Sequence, residues 1–259
     1  MADQIHLKIH RTDEHGNGKM VDYSIPADPG MVVLDAVHKV QALHSPDLAV
    51  RWNCKAGKCG SCSAEVNGRP KLMCMDRLDN YPDGQTISVR PMKSFPVIRD
   101  LVTDVSWNYR VNKKIPAFKM SAADEADPRF TQEEADRVQE FRKCIECFLC
   151  QNVCHVVRDH EKKEEFAGPR FLVRAASLEM HPLDEIDRIP LIKKEMGIGY
   201  CNITKCCTEV CPEHITITDN AIIPLKERVV DRFYDPVKMI LHKIMPPKKR
   251  APTAADRPG

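Results

Sequence analysis

A chain of 259 residues, 42% hydrophobic and 29% charged, is long enough for two domains of ordinary size and does not have the composition of a disordered polymer. A net charge of +2 and only 6% aromatic residues exclude a nucleic-acid surface built on excess positive charge and base stacking. "MADQIHLKIH" has no apolar core of signal-peptide length and no stretch reaches the ~20 apolar residues of a membrane helix, so the twelve cysteines are expected to stay reduced and to serve as metal ligands rather than disulfides.

In chain order, "QIHLKIHR" and "MVDYSIP" alternate apolar and polar residues around the turn-rich "TDEHGNGK", which predicts a β-hairpin. "MVVLDAVHKVQAL" then sets Val33, Ala36, Val37, Val40 and Leu43 on one helical stripe, with Asp28 and Pro29 near its start. "SAEVNGRPKLM" predicts two short strands around Asn67-Gly68, and "QTISVRP" a last strand, so that a small sheet carries one helix in a β-grasp-like arrangement over residues 1–105. Within it, Cys54, Cys59, Cys62 and the distant Cys74 have the C-x4-C-x2-C…C spacing of a plant-type [2Fe–2S] site. Gly57 and Gly60 let backbone amides approach the sulfurs closely. Four thiolates also suit structural zinc, but a single glycine-laced loop fits a cluster better than two separated knuckles.

The proline-rich stretch from Pro91 to Pro128 has the composition of a connection lying over a surface. Beyond it, residues 106–240 are expected to form a helical domain, giving an α+β protein overall. "TQEEADRVQEF" opens with Thr131 and Glu134 as a capping box, places Ala135, Val138 and Phe141 on one face, and delivers the run Cys144, Cys147, Cys150, Cys154 with spacing C-x2-C-x2-C-x3-C. Apolar stripes in "RFLVRAASLEM" and "DEIDRIPLIKKEM" are expected to pack around it. A second run, "CNITKCCTEVCP", places Cys201, Cys207, Cys211 and Pro212 on the same template but has Thr204 where its second cysteine belongs.

In two-cluster ferredoxins the fourth cysteine of each run ligates the other run's cluster. By that rule Cys144, Cys147 and Cys150 join Cys211 around a [4Fe–4S] cube, and Cys154 joins Cys201 and Cys207. Three thiolates opposite Thr204 favour a cube lacking one iron, a [3Fe–4S] cluster. Fewer thiolates mean less negative charge, which suits a final electron acceptor. Cys206 could swing in as a substitute fourth ligand, but adjacent residues on one backbone rarely both point inward, so it reads as a bystander.

Plant-type, four-iron and three-iron motifs in that order resemble the iron–sulfur subunit of succinate dehydrogenase and its relative fumarate reductase, from the first hairpin to about residue 235. Eleven of the twelve cysteines fall at that family's positions. The resemblance implies a membrane-bound complex on the cytoplasmic face of the cell membrane. A flavoprotein subunit with FAD oxidises succinate, this subunit passes single electrons through its clusters, and a membrane anchor binds quinone. Cys54, Cys59, Cys62 and Cys74 would then lie toward the flavoprotein, and Cys154, Cys201 and Cys207 toward the anchor. The reverse reaction, fumarate reduction, is the alternative, and a non-redox zinc scaffold is the reading from another class.

The resemblance departs where many members carry a proline and then a tryptophan after the cysteine matching Cys154, and a histidine after that matching Cys201. Those residues help form the quinone site; here the places hold His155, Asp159 and Asn202, which marks a divergent bacterial type with a different anchor or electron exit. His155 and His160 are substitutes for those contacts or simply exposed helix residues. Lys55, Lys58 and Arg69 either orient the flavoprotein or are simply the solvated charges of a loop. The tail, residues 241–259, ends a short apolar stretch with Lys248, Lys249 and Arg250, either a basic patch for anionic lipid or a solvated terminus.

Overall fold

In the computed structural model, which describes residues 4–244, 249–252 and 256, strands β1 (Gln4–Thr12) and β2 (Gly18–Pro26) pair antiparallel and bury Leu7, Ile9 and Ile25. Helix α1 (Val33–Leu43) buries Val33, Leu34, Ala36, Val37 and Val40, a stripe that contributes about 1.5–3 kcal/mol per large side chain. Its start is fixed by Asp35, whose carboxylate accepts the Val32 N–H at 3.2 Å, rather than by Asp28; Leu43, on the same stripe in the sequence, is exposed as the last residue of the helix. β3 (Ser63–Val66) and β4 (Arg69–Leu72) form the expected hairpin, because Asn67 and Gly68 accept the positive φ (48° and 75°) that its two-residue turn demands. β5 (Ile87–Arg90) inserts parallel to β1 and antiparallel to β3, giving the order β2-β1-β5-β3-β4 with the helix laid against it.

The stretch from Pro91 to Pro128 is more than a surface connection. It contains β6 (Val97–Arg99), β7 (Val102–Thr103), α2 (Ser106–Lys113) and α3 (Ala122–Ala126), and it buries Met92, Phe95 and Leu101. The physical reason lies in Asp100, fully buried at 0% exposure. Its carboxylate accepts the N–H groups of Thr12 and Ala49, both at 2.7 Å, and the Arg11 Nε–H at 3.1 Å. Those partners are distant in sequence, so composition alone does not reveal the attachment.

The chain divides into two compact units, Met1–Val105 with Ile145–Val153, and Ser106–Cys144 with Cys154–Gly259. Ile145–Val153, which the sequence assigns to the helical domain, thus counts with the sheet. Ser63 Oγ donates to the Cys147 carbonyl at 2.8 Å, and buried Asn152, at the end of α5 (Leu149–Val153), donates from Nδ2 to Glu65 Oε1 at 2.9 Å. Asn152 Oδ1 accepts the Ser94 N–H at 2.9 Å. These bonds satisfy polar groups that burial would otherwise penalise by about 1–3 kcal/mol each.

In the second unit, α4 (Gln132–Gln139) carries the expected capping box, Thr131 with Glu134, and buries Val138; Phe141 is buried in the 3₁₀ turn that follows. α6 (His155–Arg158), α7 (Pro169–Glu179) and α8 (Ile189–Lys194) come next, the latter two on the predicted apolar stripes. α9 (Cys206–Glu209), a π-helical turn (Ile217–Ile222) and α10 (Ile223–Phe233) complete the core around Leu172, Ala175, Ile192 and Leu225. α11 (Pro236–Ile244) exposes Val237, Ile240 and Leu241. No helix of the described residues is long and apolar enough to cross a membrane.

The tail is neither a free basic patch nor a frayed end where it is described. Arg250 bridges to Ile186, and its guanidinium pairs with Glu185 and Asp256. Lys249 donates to the Glu179 carbonyl at 2.7 Å. Lys248 lies outside the described residues.

Candidate functional site

The first cysteine group is positioned by the β3–β4 hairpin. Its register pairs Ser63 with Leu72, and Met73 N–H donates to the Cys62 carbonyl at 3.2 Å, so Cys62 and Cys74 flank the open end of the hairpin. The loop from Cys54 to Cys62 bends through left-handed residues at Lys55 (φ 53°), Gly57 (φ 69°) and Gly60 (φ 68°). That turns amides inward: Ala56 and Lys58 N–H both donate to Cys54 Sγ at 3.3 Å. Burial works against the Cys59 thiolate, but hydrogen bonds from Ser61 and Cys54 outweigh it and bring this thiol down to about 6. Burial pushes Cys62 up to about 12, with the neighbouring Cys74 and Cys59 sulfurs adding to it against the pull of the Cys74 N–H. Lys55 reaches Asp35 at 3.7 Å and lies over the Trp52 ring.

The second run repeats the bend without glycine. Cys144 ends the turn that follows α4 and belongs to the second unit; Cys147 and Cys150 are buried in the first, with Glu146 (φ 56°) and Phe148 (φ 60°) left-handed around Cys147. Cys211, in the second unit, accepts the Ile215 N–H at 3.4 Å, and burial, then the charge of Cys144, raises its thiol.

The third group converges in the second unit. Cys154, Cys201, Cys206 and Cys207 line one recess with His155, Asn202, Ile203, Thr204 and Thr218. Ile203 and Lys205, both at φ 62°, bend the loop. Gly197 anchors its approach, since a Cβ there would meet the Glu165 carbonyl oxygen at 1.8 Å. Burial pushes Cys154 up to about 11 and Cys207 up to about 12, and charges on Cys206 and Cys201 raise both further. Cys206 lines the same recess, with its Sγ 3.4 Å from Thr204 Oγ1. His155 is half-buried at the recess and His160 is exposed, their rings edge-on at 5.8 Å. Thr218, whose Oγ1 lies 3.5 Å from Cys207 Sγ, escaped the sequence reading because nothing in "ITIT" signals a π-helical turn.

Iron–sulfur clusters fit these residues on two observations. Each of the three loops carries left-handed residues between its cysteines, bends that turn backbone N–H groups toward a concave, anion-accepting site. Burial holds the Cys62, Cys154 and Cys207 thiols protonated at neutral pH unless a cation compensates the thiolate charge, which bound iron would supply.

The profile of the 2Fe-2S iron-sulfur cluster binding domain family matches residues 6–109, and that of the 4Fe-4S dicluster domain family residues 140–215. A chain of the Mycobacterium smegmatis Sdh1 complex in the apo form is 58% identical, with a TM-score of 0.88 over 92% of this chain and 100% of that one. The fumarate reductase iron-sulfur subunit of Wolinella succinogenes is 30% identical over 81% of this chain and 89% of its own length. A subunit of the fumarate reductase (CoM/CoB) of Methanothermobacter marburgensis is 31% identical over 86% of this chain, which spans 44% of that longer protein.

Proposed function

Since the chain belongs to the iron–sulfur subunits of the succinate dehydrogenase and fumarate reductase family, we propose that eleven of its cysteines divide among three clusters in the family's order. Cys54, Cys59, Cys62 and Cys74 hold [2Fe–2S]; Cys144, Cys147, Cys150 and Cys211 hold [4Fe–4S]; Cys154, Cys201 and Cys207 hold [3Fe–4S]. The observation that carries this is the third recess, which Cys154, Cys201 and Cys207 line together with Thr204. When bound, the clusters give and take single electrons. The protein's own residues hold them, direct amides at their sulfurs and screen them from water; no substrate bond is broken on this chain.

The partners follow as part of the same reading: a flavoprotein subunit carrying FAD near the first group, and a membrane anchor with quinone near the third. The subunit is then peripheral, on the cytoplasmic face of the cell membrane. Succinate oxidation is the direction we assign, supported by the 58% identity to a chain of an Sdh1 complex. Fumarate reduction is the second reading, supported by the names of the more distant relatives. Domain limits of 1–105 and 106–240 fit this scheme, with Ile145–Val153 contributed back to the first unit.

EPR of the purified complex, first oxidised and then reduced with dithionite, tests the ligand division. A three-iron signal in the oxidised state, replaced by [2Fe–2S] and [4Fe–4S] signals on reduction, is expected. A colourless, zinc-containing protein would overturn it. Rates of succinate-driven quinone reduction and quinol-driven fumarate reduction, measured on the same preparation, decide direction.

A further inference from the structure

The recess that takes the three-iron centre is lined by four cysteines. On the four-iron template the missing sulfur would sit on residue 204, projecting where Thr204 now places its hydroxyl. Cys206 Sγ lies 3.4 Å from that hydroxyl oxygen. A sulfur is thus present 3.4 Å from the side chain that occupies the template's second cysteine position, carried two residues further along the chain. Lys205, left-handed at φ 62°, is the bend that makes this possible: it precedes α9 and lets consecutive Cys206 and Cys207 both line the recess. Cys201 and Cys206 are half-buried, whereas Cys154 and Cys207 are buried; of the two half-buried sulfurs Cys206 is the one outside the three-cysteine ligand set, so it combines contact with the recess and access to solvent ions.

We propose that Cys206 is a conditional fourth ligand, which closes the three-iron centre into a four-iron cube by capturing Fe²⁺ when the centre is reduced. The proposal rests on the ligand division above. The oxidised core first gains one electron, from dithionite in the test and from the upstream centres in the complex. A ferrous ion then loses waters, bonds to three core sulfides and to Cys206, and the Cys206 proton passes to solvent. No further electron moves: the added iron enters as Fe²⁺, and the product holds two ferric and two ferrous equivalents. The extra thiolate adds negative charge, which lowers the centre's potential and makes it a poorer final acceptor. Availability of ferrous ion would then regulate electron exit at this centre.

The test uses the whole purified complex, wild type, Cys206→Ser and Cys206→Ala. Each is reduced with dithionite under argon, incubated with ferrous ammonium sulfate, desalted, mildly reoxidised and examined by EPR and iron analysis. Wild type is expected to lose its three-iron signal and gain one iron per chain, while Cys206→Ala keeps the signal and gains none. The [2Fe–2S] signal of each reduced sample reports intact assembly. A wild type that retains its signal after ferrous ion, or a Cys206→Ala variant that loses it equally, overturns the proposal. An untreated wild type that is silent, beside a Cys206→Ala variant that shows the three-iron signal, makes Cys206 a permanent ligand and overturns its conditional role. Silence in both untreated proteins instead refutes the three-iron reading on which the proposal stands.

Discussion

Replacing Gly60 with alanine tests how tightly the first cluster loop is fitted. Three glycines of the sheet unit share a left-handed backbone but differ in surroundings. At Gly68 (φ 75°) an added Cβ meets nothing within 4 Å, at Gly57 (φ 69°) it meets the Met75 Sδ at 2.8 Å, and at Gly60 (φ 68°) it meets the Cys147 Cα at 2.6 Å. Alanine at Gly68 therefore costs only the conformational strain, about 1–2 kcal/mol. Gly57→Ala adds the displacement of a flexible thioether, which rotates aside. Gly60→Ala drives a methyl into backbone that is itself held by the Ser63 hydrogen bond to the Cys147 carbonyl. Overpacking there brings the total to about 2–5 kcal/mol. Thermal inactivation of the purified complex, with spin quantitation of the [2Fe–2S] and [4Fe–4S] signals, should rank Gly68→Ala mildest and Gly60→Ala worst. Because Cys147 belongs to the second run, Gly60→Ala should diminish both signals. A Gly60→Ala complex as stable as Gly68→Ala, with both signals at full intensity, would refute the steric argument.

Thr204→Cys completes the four-cysteine template, and the oxidised complex should lose its three-iron EPR signal without added ferrous ion. Asn152→Ala removes the donor to Glu65 and the acceptor for the Ser94 N–H, both in buried surroundings; a loss of about 2–3 kcal/mol should appear as faster thermal inactivation, with proteolysis first appearing around Ile145–Val153. Glu140 accepts the Thr216 N–H at 2.7 Å and bonds Asn220, linking the turn before Cys144 to the segment after Cys211. Burial works against its charge, but the bonds from Asn220 and Thr216 hold its pKa below the usual glutamate value. Its stabilisation is therefore complete above the unfolded value and is lost as pH falls through the lower folded one. Glu140→Ala should destabilise by about 1–2 kcal/mol at pH 7, and acid-denaturation curves should show the gap to wild type closing at low pH.

What the sequence disclosed were the features written in local spacing. The cysteine runs are such features, because their spacing is written within a few residues, even though the proposed ligand sets also draw on the distant Cys74, Cys154 and Cys211. The Asn67-Gly68 turn and the Thr131–Glu134 capping box are others, since each is satisfied within four residues. What it concealed depends on distant partners. Asp100 reads as one more acidic residue in a proline-rich stretch until the amides of Thr12 and Ala49 are brought to it. Asn152 looks like an ordinary helix residue between two cysteines until Glu65 and Ser94 receive it. The position of Cys206 is another concealed feature: the spacing does not tell that the left-handed Lys205 leads into α9 and that Cys206 and Cys207 both line one recess.

The return of Ile145–Val153 to the sheet imposes an order on biosynthesis. Ribosomes deliver the sheet strands early, and the Glu65 side chain is made 87 residues before the Asn152 that donates to it. At about 5–20 residues per second that is a wait of about 4–17 s, during which the first unit cannot be completed in its final form. Iron insertion into the plant-type loop therefore meets either an unfinished scaffold or one that has already closed on Cys147. A chain stalled within this interval would present Gly60 and Ser63 without the segment that covers them, giving assembly factors a window set by translation speed.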